Sequence, residues 1–200
     1  MTTASADVER VFRDSGALRE GHFILASGRH SPLYLEKFQV LQHPADTERL
    51  CAAIAFWARS IGVDSVAGPT TGGIILAHEV ARQLGVRAIY AERREGAAGR
   101  EFRRGFALSP GERVLVVDDI MTTGGSVQET MAAVRAAGGI VVGASVLVDR
   151  SGGAAHPEVP LHSLWRLDIP SYAPAECPLC AKGIPATHPG TTPAPAVVAR

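Results

Sequence analysis

Between residues 65 and 148, short apolar runs alternate with amphipathic ones, and that order constrains the fold more than any other feature of the chain. Residues 65–67, 87–91, 113–117 and 140–148 have the length and apolar content of strands, whereas 72–84 and 126–137 carry helical spacing. Strands joined through helices run parallel, and a parallel sheet must be covered on both faces. The expectation is an α/β fold, with a central mostly parallel sheet flanked by helices. Upstream, residues 7–13 place Val8, Val11 and Phe12 on one helical face before Gly16, and residues 46–60 place Leu50, Ala53, Ile54 and Trp57 on another before Gly62. Residues 17–41 break the pattern: Phe23, Leu25, Leu33 and Leu35 alternate around Ser27-Gly28-Arg29-His30-Ser31-Pro32, which reads as strand, polar turn, strand.

Three other stretches read less regularly. Residues 91–108 are rich in Arg, Glu and Gly, and are expected to form a long mobile loop with a short strand near 102–108. Residues 161–169, around Trp165, suggest a late edge strand or cap. From Pro174 the chain is dense in Pro, Ala, Thr and Gly, so a single domain over 1–173 is expected to end in an irregular tail, 174–200, that frays at its end.

Composition narrows the function classes. With 20 basic and 20 acidic residues, the chain lacks the net charge of a general nucleic-acid or membrane-surface binder, so any charge-based function is local. The opening MTTASADVERVF has no basic flank and no apolar core of a signal peptide, and no apolar run approaches a membrane span. A cytoplasmic protein with reduced thiols is expected, because Cys51, Cys177 and Cys180 are too few for a disulfide framework.

The chemistry concentrates in Val114-Leu-Val-Val-Asp118-Asp119-Ile-Met-Thr122-Thr123-Gly124-Gly125-Ser126. An apolar strand here runs into two adjacent acids, then into hydroxyls and glycines that open a helix. Thr122 to Ser126 supply hydroxyl donors and unhindered amides at a helix N-terminus, a cradle suited to phosphate. Asp118 and Asp119 are acceptor-only groups suited to vicinal ribose hydroxyls, directly or through Mg2+. Taken alone, the stretch is also compatible with a Gly-rich turn bearing solvated acids. It is neither GxxxxGK[ST] nor GxGxxG.

This 13-residue run resembles the fingerprint of phosphoribosyltransferases that use 5-phosphoribosyl-1-pyrophosphate, PRPP. The resemblance implies the type I phosphoribosyltransferase fold with a small N-terminal hood, ribose contacts from Asp118 and Asp119, and a 5-phosphate held by Thr122, Thr123, Gly124, Gly125 and Ser126. Phe23-Ile-Leu-Ala-Ser27-Gly28-Arg29-His30-Ser31-Pro32-Leu-Tyr34 is similar to the hood segment of the orotate members, which implies orotate contacts from Ser27, Gly28, Arg29 and Tyr34, with Thr122 shared. Arg150, after the strand 141–148, stands where those enzymes place an arginine on the orotate ring, and a guanidinium can pair bidentately with orotate's carboxylate. Gly68-Pro-Thr-Thr71-Gly72-Gly73 would approach pyrophosphate, with Arg93 and Arg94 neutralising the leaving group and Arg100 assisting from the loop. Where many bacterial relatives carry lysines, this chain has Ala26 and Gly72, which suggests a second branch of the family.

The implied activity is Mg2+-dependent transfer from PRPP to orotate, giving orotidine 5′-phosphate and pyrophosphate, by a homodimer that binds neither nucleic acid nor membrane. A purine phosphoribosyltransferase and a PRPP-sensing regulator without catalysis are the alternatives. Cys177-Pro-Leu-Cys180 has the spacing of half a zinc knuckle, but the histidine nearest in sequence is His188, and His22, His43 and His78 read as isolated structural or surface residues.

Overall fold

The computed structural model of the chain describes residues 3–189, with side chains from residue 7 onward. In chain order the elements are α1 (Thr3–Asp14), β1 (Leu18–Ile24), β2 (His30–Leu35), α2 (Phe38–Leu41), α3 (Pro44–Ala58), β3 (Ser65–Pro69), α4 (Gly72–Leu84), β4 (Arg87–Arg93), β5 (Arg100–Phe102), β6 (Arg113–Met121), α5 (Gly125–Ala136), β7 (Ile140–Asp149) and β8 (Leu161–Arg166). A 3-10 turn at Pro174–Glu176 and the single turn α6 (Pro178–Ala181) follow.

One six-stranded sheet in the order β5-β4-β3-β6-β7-β8 forms the body, and β1 pairs with β2 in a separate antiparallel hairpin, the hood. All neighbours in the large sheet are parallel except β5, which runs antiparallel to β4. Alternation along β6 explains the layering. Leu115 and Val117 join a cluster with Leu50, Ile54, Leu76 and Val80 of α3 and α4, while Val114 and Val116 join Val127, Met131 and Val134 of α5. These four β6 residues have no exposed surface, and burying each such side chain is worth about 1.5–3 kcal/mol. The first cluster also takes Phe12 of α1, Leu18 and Leu35 of the hood, and Trp165 of β8. Trp165 therefore belongs to an edge strand.

Three expectations need correction. The acids do not follow β6 but lie within it, because β7 continues to pair alongside them: Asp118 stands opposite Val146, and Met121 opposite Asp149. The segment 91–108 is not one long loop. Residues 94–99 form a short turn, with Gly96 and Gly99 at positive φ, and β5 pairs back on β4 from Arg93 opposite Arg100 to Ala91 opposite Phe102. Phe102, Phe106 and Leu108 supply what a solvated loop would lack, since they pack against the α5-side core.

The third correction concerns the tail, whose described part folds back on the hood. His30 and Tyr172 exchange backbone hydrogen bonds of 2.9 and 2.8 Å, and Thr187 takes one from Ile24 and gives one to His22 at 2.8 and 2.9 Å. The expected frayed end falls mainly on 190–200, outside the described residues. No helix among the described residues is long and apolar enough to cross a membrane.

Candidate active site

The sheet reverses direction of connection between β3 and β6: α4 carries the chain from β3 to β4 on one side, and α5 carries it from β6 to β7 on the other. In open α/β sheets such a switch point leaves a crevice beyond the strand carboxyl ends, where ligands bind. Both helices opening here start without an acidic residue in the first turn and without a side-chain cap on Thr71 or Gly124. Their first amides are therefore unclaimed donors at the positive ends of two helix dipoles.

Glycines shape the crevice. Gly124 adopts φ 80°, a left-handed conformation, as the cap of α5. A Cβ on Gly72 would fall 1.8 Å from Asp119 Oδ2, and one on Gly68 would fall 2.0 Å from the Gly73 carbonyl oxygen. A side chain at position 72 would thus require Asp119 to move, since the β3–α4 turn presses its backbone against the acid of β6.

The two acids differ in environment. Asp118 accepts a hydrogen bond from Ser126 Oγ at 2.6 Å and from the Asp119 amide at 2.9 Å. Burial and the neighbouring charge of Asp119 nonetheless push its pKa up from the usual carboxylate value to about 6. Asp119 is paired with Lys37, whose Nζ lies 2.9 Å from both carboxylate oxygens. Only Oδ1 receives the ammonium in hydrogen-bonding geometry, together with the Ile120 amide at 2.7 Å. Oδ2 is buried with no hydrogen-bond donor among the described residues. An acceptor left open at the crevice suits a ligand that brings its own donor or cation.

Lys37 carries no motif and was not legible as a site residue. It follows the hood and reaches across 82 residues of sequence to Asp119, so no local spacing could have revealed it.

Arg150 continues from β7, with its amide bonded to the Met121 carbonyl at 2.8 Å. Its side chain is half-buried. Nε is fully enclosed without a partner, and the guanidinium forms no ion pair among the described residues. Burial lowers its pKa against the opposing influence of Tyr34. Tyr34 of the hood therefore lies close enough to Arg150 of the body to act on its charge. Tyr34 packs on Phe23 with ring centroids 5.7 Å apart and bonds Glu36 at 3.4 Å.

The remaining predicted residues divide. Thr122 and Thr123 before α5, Thr71 before α4, and Arg93 and Arg94 at the end of β4 are all exposed. Arg93 and Arg94 form no ion pair among the described residues, whereas Arg103 and Arg104 are occupied by Glu95, Glu101 and Glu92. Ser27 and Gly28 form the exposed hood turn, with Gly28 at φ 76°. Arg29 points its guanidinium at Ser171, bonding Oγ at 2.9 Å and the carbonyl at 2.5 Å, so in this structure it ties the hood turn to the segment after β8.

Arg100 is the clear departure. It is 5% exposed, with Nη1 bonded to Thr70 Oγ1 at 3.1 Å and to the Ala91 carbonyl at 3.2 Å, and Nε 3.3 Å from Glu129. A guanidinium committed to those three groups is not on a mobile loop free to meet a leaving group. It holds the β3–α4 turn, β4 and α5 together.

Comparison with known proteins agrees with this geometry. A family model described as the phosphoribosyl transferase domain matches residues 39–166. An orotate phosphoribosyltransferase of Pelotomaculum thermopropionicum is 51% identical over 185 residues, covering 92% of this chain and 96% of that protein. One from Chlorobium phaeobacteroides is 46% identical over 181 residues, covering 90% and 93%. Among solved structures, orotate phosphoribosyltransferase from Aeropyrum pernix superposes with a TM-score of 0.70 at 29% identity, covering 80% of this chain and 93% of that one.

Proposed function

The chain belongs to the phosphoribosyl transferase family, among its orotate phosphoribosyltransferases, and from that premise we propose that it transfers the 5-phosphoribosyl group of PRPP to N1 of orotate. The N1–C1′ bond forms with an electron pair from the orotate dianion, and the C1′–O bond breaks with its pair going to pyrophosphate. Orotidine 5′-phosphate and pyrophosphate are the products, and the step belongs to pyrimidine nucleotide synthesis.

The observation that carries the choice of base is Arg150. A buried guanidinium nitrogen without a partner is costly unless a ligand completes it. Orotate brings a planar carboxylate, which a guanidinium matches bidentately, while purines and uracil do not. Tyr34 would cover the ring from the hood.

The other groups fit PRPP in order along the crevice. Thr122, Thr123 and the amides of Gly124 to Ser126 take the 5-phosphate at the α5 N-terminus, Asp118 and Asp119 take the ribose hydroxyls, and Thr71, Gly72, Arg93 and Arg94 face the pyrophosphate at the α4 N-terminus. Asp119 Oδ2, buried and accepting no hydrogen bond among the described residues, and Asp118 would hold Mg2+ brought in with PRPP, and the ion would supply charge neutralisation for the departing pyrophosphate. Arg100 acts at one remove, by fixing Thr70. A homodimer is part of the proposal, as the resemblance to the family implies. A cytoplasmic setting suits three unbridged cysteines.

The test is the loss of orotate ultraviolet absorbance when purified protein, PRPP and Mg2+ are combined, with adenine, hypoxanthine, xanthine and uracil in parallel. Consumption of orotate alone is expected. Turnover of another base instead would overturn the assignment of Arg150 while leaving the PRPP cradle intact, and PRPP binding without turnover of any base would favour a regulator.

A further inference from the structure

His22 and His30 of the hood and Cys177 and Cys180 of the tail play no part in the reaction above, yet their ligating atoms all lie within 4.8 Å of one another. His22, His30 and Cys177 are buried, and Cys180 stands at the surface. The separations are 2.8 Å for His22 Nε2 to His30 Nδ1, 3.5 Å for Cys177 Sγ to His22 Nε2, 3.7 Å for Cys180 Sγ to His22 Nε2 and 3.2 Å for Cys180 Sγ to His30 Nδ1. Tetrahedral zinc with Zn–S of about 2.3 Å and Zn–N of about 2.0–2.1 Å requires N···S edges of about 3.5 Å and an N···N edge of about 3.3 Å. The three N···S separations fall around that value, and the N···N pair needs to open by only a few tenths of an ångström.

Tautomer chemistry agrees. His22 Nδ1 lies 2.7 Å from the Ile184 carbonyl, an acceptor only, so Nδ1 carries the proton and Nε2 presents its lone pair to the cluster. That is the orientation a carbonyl imposes on a metal-bound histidine. Cys177 and Cys180 are spaced as a knuckle: the Ala181 amide bonds the Cys177 carbonyl at 3.1 Å, and the Gly183 amide bonds the Cys180 carbonyl at 2.9 Å.

The described part of the tail has little apolar anchorage. Of residues 174–189, Cys177 alone is buried, so apolar burial contributes little to holding this segment. Backbone bonds to Tyr172 and Thr187 bracket the cluster from both sides, and the four ligating atoms sit between them.

We propose that His22, His30, Cys177 and Cys180 bind one Zn2+ in a closed Cys2His2 site that clamps the tail to the hood. Binding releases the two thiol protons to solvent and leaves a site with no open position, hence a structural rather than a catalytic ion. The hood turn that presents Ser27 and Gly28 lies between the two histidine ligands, so the ion fixes that turn from below. The site stands on its own geometry and does not depend on the orotate reading.

Metal analysis of the full-length protein, purified without chelator and after addition of Zn2+, tests it directly. About one zinc per chain is expected for a single closed site, and Cys177→Ser/Cys180→Ser should hold less than about a tenth of that while Cys51→Ala holds the full amount. Replacement by Co2+ in the wild-type protein gives a readout that no variant's misfolding can spoil. A thiolate-to-cobalt charge-transfer band with intense tetrahedral d–d bands is expected. Zinc below about a tenth per chain after addition of metal, weak octahedral cobalt bands, or a Cys177–Cys180 disulfide in freshly purified protein would each overturn the site.

Discussion

Burial of Asp118 beside Asp119 favours the neutral acid, while ribose recognition needs an acceptor-only carboxylate. The folded-state pKa, about 6, lies above the ordinary carboxylate value of 3.8. The folded protein therefore keeps a proton that the unfolded chain releases, and the associated stability is present at low pH and is lost as pH rises from about 4 through about 6. At pH 8 the charged, buried Asp118 is a net cost. Asp118→Asn should raise stability at pH 8 by on the order of 1–3 kcal/mol in urea unfolding, and the gain should vanish below pH 4. The same change should weaken PRPP binding by at least about tenfold in calorimetry, because the amide offers one acceptor where the carboxylate offered two. A gain in stability without loss of PRPP affinity would remove Asp118 from the ribose site. For Arg150, replacement by Gln keeps a polar side chain but shortens it and loses the bidentate cation. The orotate KM should rise by about 10²-fold with the PRPP KM within about twofold, a split that steady-state kinetics resolves.

At the level of elements, the hairpin β4–β5 and the β3–α4 turn are one mechanical unit, joined by Arg100. Its contacts to Thr70 and Ala91 set the turn that faces pyrophosphate, so Arg100→Met should act through position. We expect faster amide exchange in residues 70–72 and 94–99, an increase in PRPP KM of about tenfold, and little change in the pH profile, since no titrating group is lost. Unchanged exchange with a collapsed kcat would instead return Arg100 to direct chemistry. This unit also marks how far the sequence could be read. The alternation of β3, α4, β4, β6, α5 and β7 was legible because β3 and most of β6 and β7 are buried on both faces and the helices on one, and the 118–126 run was legible because its chemistry is contiguous. The short strand expected near 102–108 lies earlier, at 100–102, since β5 includes Arg100 and Glu101, and a charge destined for burial looks the same in sequence as one destined for water. Lys37 and the His22–His30 pair were hidden for another reason: their partners are remote in the chain and depend on how the hood docks.

For the molecule as a whole, the hood is the part least able to stand alone. A two-stranded hairpin is marginal in water, and β1–β2 contributes only Leu18 and Leu35 among the buried residues of the main core. Its other supports are Arg29 on Ser171, Ser31 on the Pro170 carbonyl at 2.9 Å, and the tail bonds through Tyr172 and Thr187. Ending the chain after Ala173 removes the Thr187 bonds and both cysteine ligands but leaves the six-stranded sheet and its two uncapped helix starts untouched. The truncated protein should keep its far-ultraviolet circular dichroism and bind PRPP within about threefold of the full chain, because the phosphate cradle is built by α4, α5, β3 and β6 alone. Its orotate KM should rise by at least about tenfold, since a hood that frays no longer holds Tyr34 over the base and must be ordered at the expense of binding energy. Equal loss of PRPP and orotate affinity would mean that the tail supports the sheet itself; no loss of either would mean that α1 and the main core suffice to hold the hood.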